Sequence, residues 1–126
     1  MRRIVLIAAL ALSAAASPAA AGGRWTWTLY ENPNSLALAN EVPDSDSLAA
    51  VLECRPGSGR VKVSLFPNRD GLKPVAAEYA ATDAAFAAFV RTGKLELQND
   101  IGAGEIAMKR REHRDKLRRF ATMCGA

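Results

Sequence analysis

The chain has 126 residues, of which 49% are hydrophobic and 24% are charged, and its formal net charge is +4. This length fits one domain, and the sequence contains no apolar run of the roughly 20 residues that a membrane-spanning helix needs. The two cysteines do not form a C-x-x-C pair, so the usual motif of a redox-active dithiol is absent.

The first 21 residues have the order of segments that is typical of a secretory signal peptide. A basic start at Arg2 and Arg3 precedes an apolar run from Ile4 to Leu12, and three alanines ending at Ala21 supply small residues for cleavage. We therefore expect cleavage near Ala21 and a periplasmic or secreted product without a transmembrane segment. The product is expected to form a single domain over residues 22–126.

Strands are predicted to begin the domain. Alternation of aromatic and β-branched residues predicts a strand from Arg24 to Glu31, with Trp25 and Trp27 on the same face. A second and weaker extended segment follows, and it carries Leu36 and Leu38.

A hairpin is the next predicted unit. Apolar residues alternate from Leu48 to Arg55 and from Arg60 to Phe66, and Pro56–Gly59 supplies the turn between these strands. A further turn over residues 68–71 leads to a strand from Val75 to Tyr79. Because short turns join these strands, we expect them to pair in an antiparallel sheet.

The hydrophobic period then changes from that of a strand to that of a helix. A capping position and a downstream glycine predict a short helix from about Asp83 to Arg91. Alternation returns from Lys94 to Gln98. A loop that holds Gly104 is expected to lead to a partner strand with Ile106 and Met108.

The last predicted element is a helix from about Arg111 to Met123, in which Leu117, Phe120 and Cys124 share one face. Export to an oxidising compartment and the presence of only two cysteines predict a disulfide between Cys54 and Cys124. The expected fold is therefore α+β, with a mostly antiparallel, twisted sheet of five to seven strands. A short helix and a C-terminal helix complete it, and the one disulfide joins the latter to the sheet.

The C-terminal segment is also the most basic one: residues 105–126 hold seven of the 17 Lys and Arg residues. Arg110, Arg111, Arg114 and Arg118 are candidate partner-binding residues. In an exported protein, such a surface favours an acidic envelope protein or anionic lipid head groups over nucleic acid. The alternative is an ordinary solvated helix face, because acidic residues interrupt the run.

Trp25 and Trp27 form a second candidate site. Two tryptophans on one strand face can act as a platform for a small ligand, because each combines a large apolar ring with an N–H donor. The alternative is that both belong to the hydrophobic core of a small domain with few aromatic residues.

His113 is the only histidine. A hydrolase would need an acid or a nucleophile beside it, and a metal site would need several ligands at suitable spacing. The sequence indicates neither, so we expect no catalytic residue, no metal and no cofactor, and a histidine packed at the edge of the helix. A small hydrolase that uses His113 is the third hypothesis.

The order of elements resembles that of a group of small exported bacterial proteins that includes the VasI family, which is linked to type VI secretion. The similarity lies in Leu52–Cys54, Val61–Val63, Phe86–Val90, Leu95–Leu97 and the closing Leu117-x-x-Phe120-x-x-x-Cys124 motif. The resemblance implies a disulfide-bonded α+β fold, and it carries over no functional residue.

The sequence as a whole predicts an exported, non-enzymatic protein that binds a partner at the cell envelope. The principal alternative is a small-ligand-binding domain that uses Trp25 and Trp27.

Overall fold

The computed structural model describes residues 24–67 and 73–125. The predicted signal peptide and the predicted turn over residues 68–71 lie outside these ranges. Five strands form one antiparallel sheet, in which each strand pairs with the next one along the chain. These strands are β1 (Thr26–Asn32), β2 (Ser35–Glu41), β3 (Leu48–Cys54), β4 (Arg60–Leu65) and β5 (Val75–Ala80).

Two helices and a two-stranded ribbon follow the sheet. They are α1 (Ala84–Thr92), β6 (Lys94–Gln98), β7 (Ala103–Ala107) and α2 (Arg111–Gly125). The α+β class, the antiparallel sheet, the short helix and the C-terminal helix are therefore confirmed. The strands of the described ranges are divided between the five-stranded sheet and the separate ribbon of β6 and β7.

Alternation along the strands gives the five-stranded sheet one buried face. Leu38, Leu52 and Val63 occupy paired positions on β2, β3 and β4, and all three are fully buried. Phe89 of α1 and Phe120 of α2 are fully buried in the same cluster. The helices and the ribbon thus cover the face that the apolar alternation predicts to be internal.

The predicted disulfide joins the end of β3 to the last turn of α2. The Cα atoms of Cys54 and Cys124 are 5.9 Å apart, and both residues are buried. The β3–β4 turn also holds this helix end, because the N–H of Gly57 donates to the Met123 carbonyl (2.9 Å) and that of Gly59 to the Cys124 carbonyl (2.8 Å). The last carbonyls of a helix have no partner within it. Turn and bridge together therefore fix the C-terminal end of α2.

Gly93 connects α1 to the ribbon. It is left-handed (φ 78°), and its N–H donates to the Phe89 carbonyl at 2.6 Å. A Cβ at this position would lie 2.8 Å from the carbonyl oxygen of Met108. Both the positive φ and the close approach of the neighbouring backbone require glycine here.

Gly104 corrects one expectation. It was expected in a loop before a strand with Ile106 and Met108, whereas it lies inside β7, which ends at Ala107. A Cβ on Gly104 would come within 2.9 Å of Leu65 Cδ1. The strand passes so close to the sheet that a side chain has no room, and this interrupts the alternation by which strands are recognised.

Candidate partner-binding surfaces

Two cations of α2 hold the edge strand β1. The Nζ of Lys116 donates to the Trp27 carbonyl oxygen at 2.7 Å. The Arg119 guanidinium donates to both carboxylate oxygens of Glu31, at 2.9 and 3.1 Å. These hydrogen bonds from Arg119 keep the pKa of the Glu31 carboxyl below its usual value. Both cations are therefore bound by the sheet itself.

Arg114, one of the candidate partner-binding residues, has a structural role. Its Nη1 donates to the carbonyl oxygens of Lys109 (2.9 Å) and Met108 (3.3 Å), in the connection between β7 and α2. A cation that satisfies two backbone carbonyls fixes the chain there. The guanidinium of Arg114 is thus already engaged by its own chain.

The other candidate arginines are exposed. Arg110 forms an ion pair with Glu112 at 2.5 Å, and Arg118 forms one with Asp115. Arg111 makes no hydrogen bond or ion pair within residues 24–67 and 73–125. Exposed ion pairs contribute little free energy, so they yield readily to an external anion. The start of α2 remains cationic, although most of its charges have partners.

His113 is buried against the start of β1. Its Nε2 lies 3.4 Å from the Thr26 hydroxyl, and either atom can donate in that hydrogen bond. Burial lowers the pKa of His113. The charge of Arg110 lowers it further, Glu112 opposes this, and Lys116 lowers it again. The hydrogen-bond partner of the His113 imidazole is thus the hydroxyl group of Thr26 rather than a carboxylate.

The two tryptophans have different environments. Trp27 lies in β1 and is only 5% exposed, within the hydrophobic core. Trp25 precedes the strand and is 40% exposed. They therefore do not form a shared exposed platform, and the core interpretation holds for Trp27 alone.

Trp27 nevertheless contributes to the wall of a groove between the sheet and the ribbon. The groove has a volume of about 290 Å³ and is lined on one side by apolar residues that include Leu65. Its other side is formed by consecutive β7 residues from Gly104 to Ala107, and its polar lining residues include Asn40 and Glu105. Its size is close to the lower limit of small-molecule pockets, which is about 300 Å³.

A β-bulge lies beside this groove. Ala49 is an extra residue opposite the step from Asn40 to Glu41 in the β2–β3 pairing. Its carbonyl oxygen accepts a hydrogen bond of 2.8 Å from the N–H of Phe66, which follows β4. Bulges redirect side chains and are frequent next to binding sites. Here the bulge places Ala49 and Phe66 in the groove lining.

The edge of β7 that borders the groove has free main-chain groups. The N–H of Met108 donates to the Gly93 carbonyl at 2.8 Å, which makes these residues a hydrogen-bonded pair of the ribbon. Hydrogen-bonded pairs alternate in an antiparallel ladder, so Ile106 also bonds to β6. The N–H and C=O groups of Glu105 and Ala107 then point away from β6. They form no hydrogen bond with the part of the chain that the structure describes.

Two carboxylates face each other on the exposed side of the ribbon. Glu96 of β6 is paired with Glu105 of β7, and both are exposed. No Lys or Arg side chain from the described ranges forms an ion pair with either one. Like charges opposite each other on neighbouring strands are destabilising.

Neither Asn40 nor Glu105 is a site residue that the sequence predicts. These residues are distant in the chain, and the groove arises only because the ribbon folds back over the end of the sheet. One signal was accessible, because the register of the β6–β7 hairpin alone places Glu96 opposite Glu105.

Comparison with protein-family models, with curated proteins and with solved structures finds no match to this chain. In the described ranges, no helix is both long and apolar enough to cross a membrane. Among these same residues, no three His, Cys, Asp or Glu side chains are grouped so that they could hold a metal ion.

Proposed function

We propose that this protein is an exported, non-enzymatic binding protein of the cell envelope, and that its partner occupies the groove beside Trp27. The supporting observation is the combination of an apolar wall with unpaired main-chain groups along the edge of β7. Apolar contact supplies free energy of binding, and a few directed polar groups supply orientation.

The groove is a better candidate than the basic helix because its polar groups are not already bound. Lys116, Arg119 and Arg114 of α2 hold backbone carbonyls or a carboxylate of the same chain. Binding a partner through them would break existing contacts. The main-chain groups of Glu105 and Ala107 need no such exchange.

The test is NMR of the isotope-labelled, oxidised protein mixed with fractions of an envelope extract at low and high salt. We expect the amide signals of Glu105 and Ala107 to shift. Ala107→Trp places an indole on the same face as Glu105, next to the free main-chain groups of β7, and should abolish the shift. Ala103→Trp is the matched control, because Ala103 is an exposed β7 residue that does not line this groove. Shifts confined to α2 would contradict the proposal.

A second candidate retains the start of α2 as a site for anionic lipid head groups or an acidic envelope protein. It is favoured by the exposed Lys109 and Arg111, which have no acceptor among the described residues. Vesicles with anionic lipid should then bind the protein at low salt and release it at high salt. Lys109→Glu with Arg111→Glu should abolish this binding, and equal binding to neutral vesicles would contradict it.

A further inference from the structure

We propose that the occupant of the groove is an extended polypeptide segment that adds as an antiparallel strand to β7 and places a Lys or Arg opposite Glu105. This inference rests on the proposed function and specifies the chemistry of the partner. It combines three features of the ribbon: its free edge, the direction of its side chains and its unbalanced charge.

The free edge supplies the main-chain hydrogen bonds. Glu105 and Ala107 direct their N–H and C=O groups away from β6, and the groove is lined by β7 residues but by none of β6. A residue opposite Glu105 in an added antiparallel strand would exchange two hydrogen bonds with it. Ala107 would form the next such pair. Addition of a strand to an open sheet edge is a general mode of peptide recognition.

The alternation of side chains defines which partner residues enter the groove. Ile106 is buried toward the core, and Gly104 packs on Leu65, whereas Glu105 is exposed. Partner residues opposite Gly104 and Ile106 therefore point into the groove, toward its apolar wall. The residue between them lies beside Glu105 on the exposed side. The segment thus has the pattern apolar, basic, apolar.

The charge of the ribbon favours a basic residue at the central position. Glu96 and Glu105 are opposite each other and have no cation in ion-pair contact within the described ranges. A Lys or Arg beside Glu105 would relieve this repulsion. A second copy of the chain, pairing β7 with β7 around Glu105, would instead bring further carboxylates together. The charge therefore disfavours self-pairing and selects a partner with a basic strand.

The experiment uses the oxidised protein with Trp25→Phe, so that Trp27 is its single tryptophan. The probe is the blocked peptide Ser-Thr-Val-Lys-Val-Thr-Ser, followed by Trp27 emission and by the β7 amide signals. One control peptide replaces Lys by Glu. The other carries a methyl group on the backbone nitrogen of Lys, which removes one main-chain hydrogen bond to β7. We expect each change to weaken binding about tenfold or more.

Two substitutions separate charge from hydrogen bonding in the protein. Glu105→Gln removes only the charge and should reduce the preference for the Lys peptide over the Glu peptide. Glu105→Pro also removes the N–H at the free edge, but no bond to β6, and should abolish binding by both peptides. If Glu105→Pro fails to fold, the N-methyl peptide still tests the main-chain hydrogen bond, because it is used with the unaltered protein.

The outcomes distinguish this inference from the proposed function. Binding that changes Trp27 emission but ignores N-methylation would overturn strand addition and leave the groove as the site. Peptides that do not bind, while envelope fractions shift the β7 amides, would overturn the peptide occupant alone. If neither affects β7, both proposals fail. If Glu105→Gln self-associates and the wild-type protein ignores the Lys peptide, Glu105 merely protects the edge, and the inference is wrong.

Discussion

The edge strands β1 and β7 differ in whether side chains of the same chain bind them. The two-residue turn between Asn32 and Ser35 directs the main-chain groups of Trp27 outward along the β1 edge. There Lys116 binds the Trp27 carbonyl, and Arg119 holds the carboxylate of Glu31. The β7 edge has no comparable partner in the described ranges.

This difference shows that the cations of a basic helix can be bound by acceptors of the same chain. Two basic side chains of α2, Lys116 and Arg119, bind an edge strand of the same molecule. The candidate residue Arg114 instead binds the connection between β7 and α2. Open sheet edges invite pairing with other chains, so covering one edge protects it. The edge left uncovered lies where a groove with an apolar wall also opens.

Removing the disulfide has the largest expected effect and tests how far α2 depends on covalent attachment to hold β1. The bridge spans a sequence separation of 70, for which the chain-entropy argument gives about 4 kcal/mol. We expect Cys54→Ala with Cys124→Ala to lower the free energy of unfolding in urea by roughly this amount. An unchanged urea midpoint would show that non-covalent contacts alone hold the helix.

Gly93→Ala tests the attachment of the ribbon. The substitution imposes a positive φ on alanine and brings its Cβ against the Met108 carbonyl. We expect it to cost about 2–4 kcal/mol in thermal or urea unfolding. Gly59→Ala is the matched control, because Gly59 has φ +73° with nothing within 4 Å of an added Cβ. It should cost about 1–2 kcal/mol, and equal losses would deny the clash with Met108.

Lys116→Met tests the cover of the β1 edge. The substitution keeps much of the side-chain volume but leaves the Trp27 carbonyl without its charged donor. We expect a loss of about 1–2 kcal/mol in the free energy of unfolding and faster hydrogen exchange along β1. Arg111→Met, on the same helix but without a partner in the described ranges, should change stability by less than about 0.5 kcal/mol. Similar losses for both variants would contradict the assigned role of Lys116.

The smallest expected effect is a dependence of stability on pH through His113. Burial holds its pKa in the folded protein below the ordinary value of 6.5. As the pH falls through about 6.5, the unfolded chain takes up a proton before the folded protein does. Stability should therefore decrease below that pH and be restored above it. His113→Gln should flatten the corresponding part of the melting temperature profile between pH 8 and 5, and an unchanged profile would contradict this origin.

The local elements could be predicted from the sequence because their signals are local. The alternation in β3 and β4 and the apolar stripe of α2 identify these elements to within a few residues. The pairing of Cys54 with Cys124 follows from there being only two cysteines. The prediction of a loop at Gly104 is wrong. A glycine stands there because the strand packs closely on Leu65, and not because the strand ends.

The candidate site could not be predicted because its parts meet only in the folded molecule. Lys116 and the Trp27 carbonyl are 89 residues apart in sequence, and Arg119 and Glu31 are 88 apart. Charge in a sequence does not reveal which acceptor a side chain finds. The main-chain N–H and C=O groups of Glu105 and Ala107 are unpaired because no strand of the described ranges lies beside that edge of β7. The type of residue at these positions does not indicate this.

The disulfide has a mechanical consequence. Force applied between Arg24 and Gly125 would pass from β3 directly into α2, because the disulfide joins Cys54 to Cys124 covalently. The chain between the two cysteines is bypassed. The strands β1, β2 and β3 would carry this load, because they lie between Arg24 and Cys54. The segment between the two cysteines, which includes the ribbon, would stay out of the force path. Reduction would release that hidden length, roughly 240 Å of extended chain at about 3.5 Å per residue. An intact bridge therefore makes the oxidised protein short and stiff under tension, with the β7 edge isolated from the pull.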